Sequence, residues 1–286
     1  MYLADAWKDY ELLDTGDGLK LERWGGAILS RPDPQVIWPK NDHACWQTAD
    51  ARYHRSAKGG GEWEFLKPLP ESWTVKYKEL EFIVHPTNFK HTGLFPEQAV
   101  NWDWMGDLVQ KRGGAPAVLN LFGYTGGATC ALAKAGAHVT HVDAAKGMVQ
   151  WAGENRAQCG IDSGRVRWIV DDVVKFVERE KRRGKVYDAV LMDPPSYGRG
   201  PRGEIWKLED ELYPLMDKCT DLLSENPLFV LINSYTTGLQ PAVLYNMLLK
   251  TVGNRFCGHA EADEVVLPVK SGGLLPCGAS GRWTFK

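Results

Sequence analysis

The sequence predicts an α/β fold, in which a doubly wound, mostly parallel sheet follows a small β-rich N-terminal domain. From residue 117 onward, short apolar runs alternate with helical patterns, as in sheets whose strands are joined by crossover helices. The first run leads into a glycine-bearing turn and a short helix, the start of a β-α-β unit. Before about residue 85 the chain shows short runs broken by turn signals. We therefore divide the chain into domains 1–85 and 86–286.

The N-terminal region has the sequence pattern of a small β domain. Hairpin strands are predicted at 19–24 and 27–29, and two more strands at 73–78 and 80–85. Tryptophan is concentrated before residue 105. These side chains either form a compact β core or present a stacking surface for unpaired bases. We favour the core, because tryptophan is a common core residue in small β domains.

Composition describes an ordinary globular protein and sets limits on its partners. The formal net charge is -2, so any nucleic-acid-binding surface must be local. The six cysteines form no C-x-x-C pair, which argues against a zinc site or a redox motif. The start of the chain carries acids and no apolar run, and no stretch is long enough for a membrane span. We expect a cytoplasmic protein with no metal site and no membrane contact.

The segment 86–111 joins the two regions. Its first part, which contains His91, Thr92 and Gly93, is polar and small where a loop could fold over a cofactor. A lone histidine is more often structural, so both interpretations stand at this point. From residue 97 to 111 the pattern predicts a helix, which the glycines at 113 and 114 end.

The segment 117–143 predicts a nucleotide-binding β-α-β unit. A buried strand at 118–121 precedes Gly123, Gly126 and Gly127, which allow a tight turn and close approach of a ligand. A helix at 129–134 and a strand at 139–142 follow, and Asp143 stands at the end of that strand. An acid about twenty residues past such a turn can accept both ribose hydroxyls of a nucleoside. The alternative is an ordinary crossover that happens to end in an acid.

The remaining elements continue the alternation. Helices are predicted at 146–158, 173–182, 209–223 and 241–251, and strands at 166–170, 187–192 and 228–233. Two late β segments, 264–269 and 281–286, suit an antiparallel hairpin at one edge of the sheet. The strand at 187–192 ends in Asp193-Pro194-Pro195. This is either a chemically active strand end or a simple turn.

Taken together, these segments resemble the class I S-adenosylmethionine (SAM)-dependent methyltransferases, and within them most closely the bacterial large-subunit (23S) rRNA methyltransferases and their relatives. The resemblance covers about residues 86–286. It rests on HTGLF (91–95), LNLFGYTGG (119–127), Asp143, VDDV (170–173) and DPPSYGRG (193–200). It implies a Rossmann-like class I methyltransferase sheet of seven strands, mostly parallel, with an antiparallel edge hairpin.

The resemblance also implies a site for SAM and its target. The turn holds the methionine end of SAM, Asp143 takes the ribose hydroxyls, and Asp172 or Asp171 accepts from the adenine amino group. Asp193, Pro194 and Pro195 line the place where the target meets the methyl group. The full set of implied cofactor residues is His91, Thr92, Gly93, Leu94, Phe95, Asn120, Phe122, Gly123, Tyr124, Thr125, Gly126, Asp143, Ala144, Asp171, Asp172 and Asp193. The implied substrate contacts are Tyr197, Arg199 and Arg202.

The turn departs from the general pattern of the class, which has an acid and then three glycines at alternating positions. Asn120 replaces the acid, Phe122 and Tyr124 replace the first two glycines, and only Gly126 remains in register. The rRNA-modifying branch is similar to this variant. A dinucleotide oxidoreductase is disfavoured, because the G-x-G-x-x-G spacing is missing.

We therefore expect transfer of a methyl group from SAM to a nucleic-acid base in RNA, specifically ribosomal RNA. Members of the branch that make 5-methylcytosine use a cysteine on the loop after the fifth strand, whereas 233–236 here reads Asn-Ser-Tyr-Thr. Methylation of a ring nitrogen or an exocyclic amine needs no covalent step and remains open, and the sequence does not name the target base or the modified atom. The alternatives are a protein or small-molecule methyltransferase and a SAM-binding protein without catalysis. The oligomeric state is left open.

Overall fold

The computed structural model describes residues 1–41, 44–56, 60–199, 205–236 and 238–286. Two compact units divide the chain. The N-terminal unit contains Tyr2–Val100 and Val266–Cys277, and the sheet unit contains Met1, Asn101–Val265 and Gly278–Lys286. The N-terminal unit thus extends past the predicted boundary at residue 85 and includes a segment from near the end of the chain. As a statement about separately folding domains, the division at residue 85 stays a prediction.

The N-terminal unit is β-rich, and each of its strands is short. A five-stranded sheet has the order β2-β3-β4-β5-β6, and β7 and β8 form a separate hairpin. All neighbours in the five-stranded sheet are antiparallel except β4 and β5. The strands are β1 Tyr2–Leu3, β2 Tyr10–Gly16, β3 Leu19–Trp24, β4 Ala27–Pro32, β5 Ala51–Arg55, β6 Gly61–Phe65, β7 Trp73–Tyr77 and β8 Leu80–Val84.

The sheet unit alternates strands and helices. Its helices are α1 Ala99–Arg112 (which begins two residues before the unit does), α2 Gly127–Lys134, α3 Lys146–Gln158, α4 Val173–Arg182, α5 Leu208–Thr220 and α6 Pro241–Lys250. Its strands are β9 Ala117–Leu121, β10 His138–Asp143, β11 Val166–Val170, β12 Ala189–Met192, β13 Tyr197–Arg199, β14 Ile205–Lys207, β15 Phe229–Ser234, β16 Gly258–Pro268 and β17 Leu274–Phe285. The last two strands continue into the N-terminal unit.

The large sheet confirms the predicted fold class. Across the described residues its order is β1-β16-β17-β15-β12-β9-β10-β11. The pairs β15-β12, β12-β9, β9-β10 and β10-β11 are parallel, and β15-β17 is antiparallel. These are the seven expected strands with the two-residue β1 added at the edge. Strands β12 and β15 are buried along their whole length, as a sheet covered on both faces requires.

Several elements differ from the sequence prediction in their boundaries, and one strand pair was not predicted. Strand β12 begins at Ala189 rather than at Tyr187, which forms an isolated bridge with Leu223. Strands β16 and β17 are longer than predicted, because polar residues and glycine, such as Glu261, Asp263 and Gly278, interrupt their apolar signal. The short antiparallel pair β13-β14 was not predicted, since its glycines and basic residues resemble a loop.

Candidate functional site

The turn after β9 has an alternating left-handed backbone. Phe122, Tyr124 and Gly126 have φ angles of 58°, 51° and 83°. These are the three positions that the class pattern fills with glycine. A non-glycine residue in this region costs roughly 1–2 kcal/mol. Such strain persists only where the surroundings fix the conformation, and it is concentrated at functional sites. The structure therefore keeps the backbone of the glycine pattern without two of its glycines.

Hydrogen bonds from neighbouring elements fix this turn. The Gly123 N–H donates to the Val142 carbonyl (3.0 Å), and the Tyr124 N–H donates to Asp143 Oδ2 (2.9 Å). The buried Asn155 side chain on α3 donates to the Thr125 carbonyl (2.8 Å). Strand β10 and helix α3 thus hold the turn from two sides.

A buried polar group lies beneath the turn. Asn120 is only 2% exposed, and its Nδ2 donates to Thr129 Oγ1 (2.8 Å), which is 2.9 Å from His141 Nδ1. Burial lowers the pKa of His141 to about 4, so the imidazole is neutral at pH 7. A Cβ on Gly123 would lie 2.4 Å from the His141 ring. Asn120 is predicted as a cofactor residue, but its amide donates to Thr129 in the buried group beneath the turn. Sequence reasoning missed His141, because a single histidine in a strand gives no signal.

Asp143 is oriented by two backbone donors. Its Oδ2 accepts from the Tyr124 N–H, and its Oδ1 accepts from the Ala145 N–H (2.8 Å). Burial raises the pKa of Asp143, although both backbone hydrogen bonds act in the opposite direction. Each oxygen keeps a second lone pair, so the carboxylate can still accept a pair of hydroxyl groups. Ala144 beside it is exposed.

The two acids after β11 have different roles. Asp172 caps α4, with its Oδ1 accepting from the Lys175 N–H (2.9 Å). Asp171 forms an ion pair with Arg179 and accepts from the Asp172 N–H through its Oδ1 (2.9 Å). Within the described part of the chain, Asp172 Oδ2 has no recorded partner, so this oxygen is available to an amino group. The geometry favours Asp172 over Asp171 as the adenine acceptor.

The Asp-Pro-Pro segment follows β12 and is held by two neighbouring segments. Tyr235, directly after β15, donates from its hydroxyl to Asp193 Oδ2 (3.3 Å). Trp206 Nε1 donates to the Pro195 carbonyl (2.7 Å), and its ring lies 5.0 Å from that of Phe122. Trp206 thus connects the cofactor turn to the Asp-Pro-Pro segment, and neither it nor Tyr235 was predicted.

The predicted substrate residues lie on or beside β13. Tyr197 opens this strand and is 51% exposed, and Arg199 ends it. Ser196 stands directly after the prolines, and its Oγ lies 2.6 Å from Thr236 Oγ1. Arg202 lies outside the described residues. The substrate contacts of Tyr197, Arg199 and Arg202 stay predictions.

The HTGLF segment belongs to the N-terminal unit. Thr92, Gly93 and Leu94 are buried, and the Thr92 carbonyl accepts from the His85 N–H (3.2 Å). The His91 ring lies 5.4 Å from that of Phe95. Burial lowers the pKa of His91 to about 4, and Arg31 and Lys90 contribute in the same direction. His91 is therefore neutral at pH 7. The closure of residues 91–95 over a cofactor stays a prediction.

The residues of the sheet unit fit a nucleoside cofactor. Asp143, Asp172 and the turn at 122–126 all follow the carboxyl ends of parallel strands, where α/β sheets bind ligands. Asp143 carries two oriented carboxylate oxygens, and one oxygen of Asp172 is engaged as a helix cap. The ribose role of Asp143 and the adenine role of Asp172 stay predictions. Among the described residues, no group of three or more His, Cys, Asp or Glu side chains is arranged to hold a metal ion. No helix in the described ranges is both long and apolar enough to span a membrane.

Comparison with known proteins agrees with a site for a nucleoside cofactor. The family described as S-adenosylmethionine-dependent methyltransferase matches residues 41–243. The crystal structure of a SAM-dependent methyltransferase from Agrobacterium tumefaciens is 37% identical, with a TM-score of 0.94 over 99% of this chain and 93% of that one.

Two curated relatives are ribosomal RNA methyltransferases. The ribosomal RNA large subunit methyltransferase K of Neisseria meningitidis serogroup B is 24% identical, over 77% of this chain and 64% of its own length. The methyltransferase K/L of Syntrophotalea carbinolica is 29% identical, over 51% of this chain and 20% of its own length. The chain thus spans less than two thirds of either relative. Because the family match takes in the strained turn, the acids that follow β10 and β11 and the Asp-Pro-Pro segment, the chain belongs to the S-adenosylmethionine-dependent methyltransferases.

Proposed function

We propose that this methyltransferase modifies a nitrogen atom of an RNA base in ribosomal RNA. The observation that carries the proposal is the Asp193-Pro194-Pro195 segment directly after β12. Strand β12 pairs with β9, and the cofactor turn follows β9. Prolines have no N–H, so the carbonyl of Pro194 and the carboxylate of Asp193 present acceptors only. Two acceptors at one strand end suit an amino or imino group of a base. Similarity to ribosomal RNA methyltransferases supports the substrate class.

The residues of the site would act by positioning. Bound SAM supplies a methyl group that is already electrophilic, because it is attached to a sulfonium. Asp193 would orient the nitrogen lone pair towards that methyl group and accept the proton that the nitrogen carries. Tyr235, which donates to Asp193 Oδ2, would fix the carboxylate in that orientation.

A covalent cysteine mechanism is not part of the proposal. The residues that end and follow β15 are Asn233, Ser234, Tyr235 and Thr236. Cys130, Cys159 and Cys219 are buried, and burial raises the pKa of the Cys219 thiol well above its ordinary value. A buried neutral thiol is a poor nucleophile. Transfer to nitrogen needs none.

The first experiment uses SAM labelled on its methyl group. Purified protein is offered unmodified ribosomal RNA, a protein extract and a small-molecule extract in parallel. We expect label in RNA that ribonuclease releases from the macromolecular fraction, and nucleoside analysis then names the base. Label that stays in protein, or that enters a small molecule, would replace the RNA proposal with one of the two other substrate classes.

An Asp193→Ala variant separates catalysis from cofactor binding. We expect methyl transfer to fall at least a hundredfold while the Kd for SAM, measured by calorimetry, changes less than threefold, because Asp193 acts on the target nitrogen. Ser224→Ala is the control, since Ser224 contacts Asp188 at the opposite end of β12. Binding of SAM with no transfer to any substrate by the wild-type protein would indicate a binding protein without catalysis.

A further inference from the structure

A groove in the N-terminal unit has the chemistry of a nucleic-acid site. It lies where the hairpin β5-β6 meets the loop at 87–91 and has a volume of about 270 Å³. Tyr53, Arg55, Phe89, Lys90 and His91 line it. None of Arg55, Phe89 and Lys90 belongs to the cofactor or target residues described above.

Phe89 places an exposed ring on a fixed backbone. Its side chain is 62% exposed. Its N–H donates to Thr87 Oγ1 (3.2 Å), and its carbonyl accepts from Trp63 Nε1 (3.2 Å). Trp63 in turn packs edge-on against the buried Tyr53, with 5.4 Å between ring centroids. A single exposed aromatic is unremarkable, but an ordered one needs little further ordering when a flat partner stacks on it.

Two cations beside this ring, Arg55 and Lys90, form no ion pair with the acids of the described residues. Lys20 and Arg31 are paired with Glu22, and Lys20 also with Asp33. Within the described part of the chain, Lys90 Nζ contacts only the Pro32 carbonyl (3.5 Å), and Arg55 is exposed with no ion pair. Burial lowers the pKa of Lys90, repulsion from Lys20, Arg31 and Arg55 adds to this effect, and attraction to Asp33 opposes it. The groove therefore carries excess positive potential although the whole chain is slightly acidic.

We propose that this groove binds single-stranded RNA, with one base stacked on Phe89 and phosphates held by Arg55 and Lys90. This inference rests on the proposed function, since it assigns a second contact to the same substrate. An exposed ring flanked by two unpaired cations is the combination that single-stranded nucleic acids require. An acidic peptide would use the two charges but leave the ring without a role.

The test measures binding of a labelled oligoadenylate of about 12 nucleotides at several salt concentrations. We expect Phe89→Leu to weaken binding about tenfold through lost stacking. Arg55→Ala and Lys90→Ala should each weaken binding and lower the slope of log K against log salt by about 0.7. Two matched controls should leave RNA binding unchanged. They are Phe65→Leu, an equally exposed ring at the other end of β6, and Lys76→Ala, an exposed lysine on β7.

Inorganic polyphosphate separates charge from stacking. Arg55→Ala and Lys90→Ala should weaken polyphosphate binding, whereas Phe89→Leu should not. Equal binding of RNA by wild type and all three groove variants would overturn the groove proposal and leave RNA methylation intact. Loss of polyphosphate binding in Phe89→Leu would also overturn the groove proposal, since Phe89 would then maintain the fold of the groove rather than stack on a base. A wild-type protein that methylates protein and binds no RNA would instead remove the proposed function itself.

Discussion

Phe122 and Tyr124 show how one residue can keep a backbone that its side chain disfavours. Both have positive φ angles, and both stand where the class pattern has glycine. The Phe122 ring packs 5.0 Å from Trp206, so this side chain gains a contact that glycine cannot make. Strain at these positions is thus partly offset by packing, and the chain loses less conformational entropy on folding than it would with glycine there.

At Tyr124 we expect the glycine variant to be more stable than the alanine variant, the reverse of the usual order. Tyr124→Ala keeps the left-handed penalty and loses the ring, whereas Tyr124→Gly loses the ring and the penalty together. We expect Tyr124→Gly to be more stable than Tyr124→Ala by about 1 kcal/mol, measured by urea unfolding.

Gly126→Ala is the contrasting change in the same turn. Its φ is 83°, and its new Cβ would lie 2.9 Å from that of Ala152. We expect it to destabilise the protein more than either Tyr124 variant. An unfolding free energy for Tyr124→Gly below that of Tyr124→Ala would contradict the assigned strain.

Asp143 should make SAM binding sensitive to acid. We expect the carboxylate form to accept the ribose hydroxyls, and burial raises the pKa of Asp143 above the ordinary value. Affinity should therefore begin to fall, as the pH is lowered, at a higher pH than an ordinary aspartate would give. Asp143→Asn should bind SAM at least tenfold more weakly at pH 7 and lose this pH dependence.

Asp188→Asn is the matched control for Asp143→Asn. Asp188 is also half-buried, and its two oxygens accept from the Ala117 N–H and the Ser224 hydroxyl. We expect it to lower stability without changing the Kd for SAM. A Kd for Asp143→Asn equal to that of wild type, by calorimetry between pH 4 and 8, would exclude the ribose role.

At the scale of single residues, the sequence indicates which polar residues stand at the ends of strands, but not which contacts their side chains make. Asp143 and Asp193 are identifiable because acids directly after buried strands mark the ligand edge of a parallel sheet. Asn120 stands at such a position too, yet its amide turns inward to Thr129. His141, Trp206 and Tyr235 gave no signal, since their importance arises from contacts across the sheet and its loops rather than from spacing along the chain.

Helix α4 connects the cofactor edge of the sheet unit to its interior. Asp172 caps its first turn, and Glu180 near its end is fully buried. Glu180 accepts from Arg167 on β11 (2.9 Å) and from the Tyr187 hydroxyl (2.7 Å). Carboxylates thus fix α4 at both ends. A shift of its first turn would therefore move Asp172, the expected acceptor for the adenine amino group.

Substitution of Asp172 should separate capping from cofactor binding. Serine is also a good N-cap, so Asp172→Ser should change stability by less than about 0.5 kcal/mol. Asp172→Ala should cost about 1 kcal/mol. Both should weaken SAM binding if Asp172 Oδ2 accepts from the adenine amino group. Asp171→Ser, which removes the ion pair with Arg179 and the carboxylate acceptor of the Asp172 N–H, is the control. A larger loss of affinity in this control would transfer the role to Asp171.

At the scale of elements, sequence predicted the layout of the sheet unit well. Helices α3 and α4 and strand β11 begin and end where their patterns indicate, and Gly160 and Gly184 follow the two helices as stop signals. The hairpin strands β16 and β17 were underestimated, since partners across the sheet rather than local composition determine their length. The pair β13-β14 depends on Trp206, which a sequence pattern does not reveal.

At the scale of the whole molecule, resistance to acid depends on one buried ion cluster. Glu22 accepts from Arg31 through both oxygens (2.6 and 2.7 Å) and from the Tyr10 hydroxyl (2.8 Å). Burial alone would raise the pKa of Glu22, but Arg31 and Lys20 outweigh it and hold the pKa at about 2.

The cluster should stabilise the protein above pH 4.5 and lose this effect as the pH falls towards 2. A pKa lowered from 4.5 to about 2 corresponds to about 3 kcal/mol at neutral pH. Glu22→Gln leaves Arg31 buried without a counter-charge, so we expect a loss of about 3–5 kcal/mol at pH 7. Its stability should also vary less than that of wild type between pH 2 and 4.5. Chemical unfolding as a function of pH measures both, and parallel curves for the two proteins would contradict the role of Glu22.

The N-terminal unit takes in Val266–Cys277 as well as the first hundred residues. The late segment is bonded into that unit: Lys270 N–H donates to the Leu12 carbonyl (2.8 Å), and Ser271 Oγ donates to Asp14 Oδ1 (2.5 Å). A ribosome makes the chain from its N-terminus, and early domains usually fold before later ones appear. Here the earliest strands must wait for Val266–Cys277, so the unit that is begun first is completed only after Asn101–Val265 of the sheet unit has been synthesised.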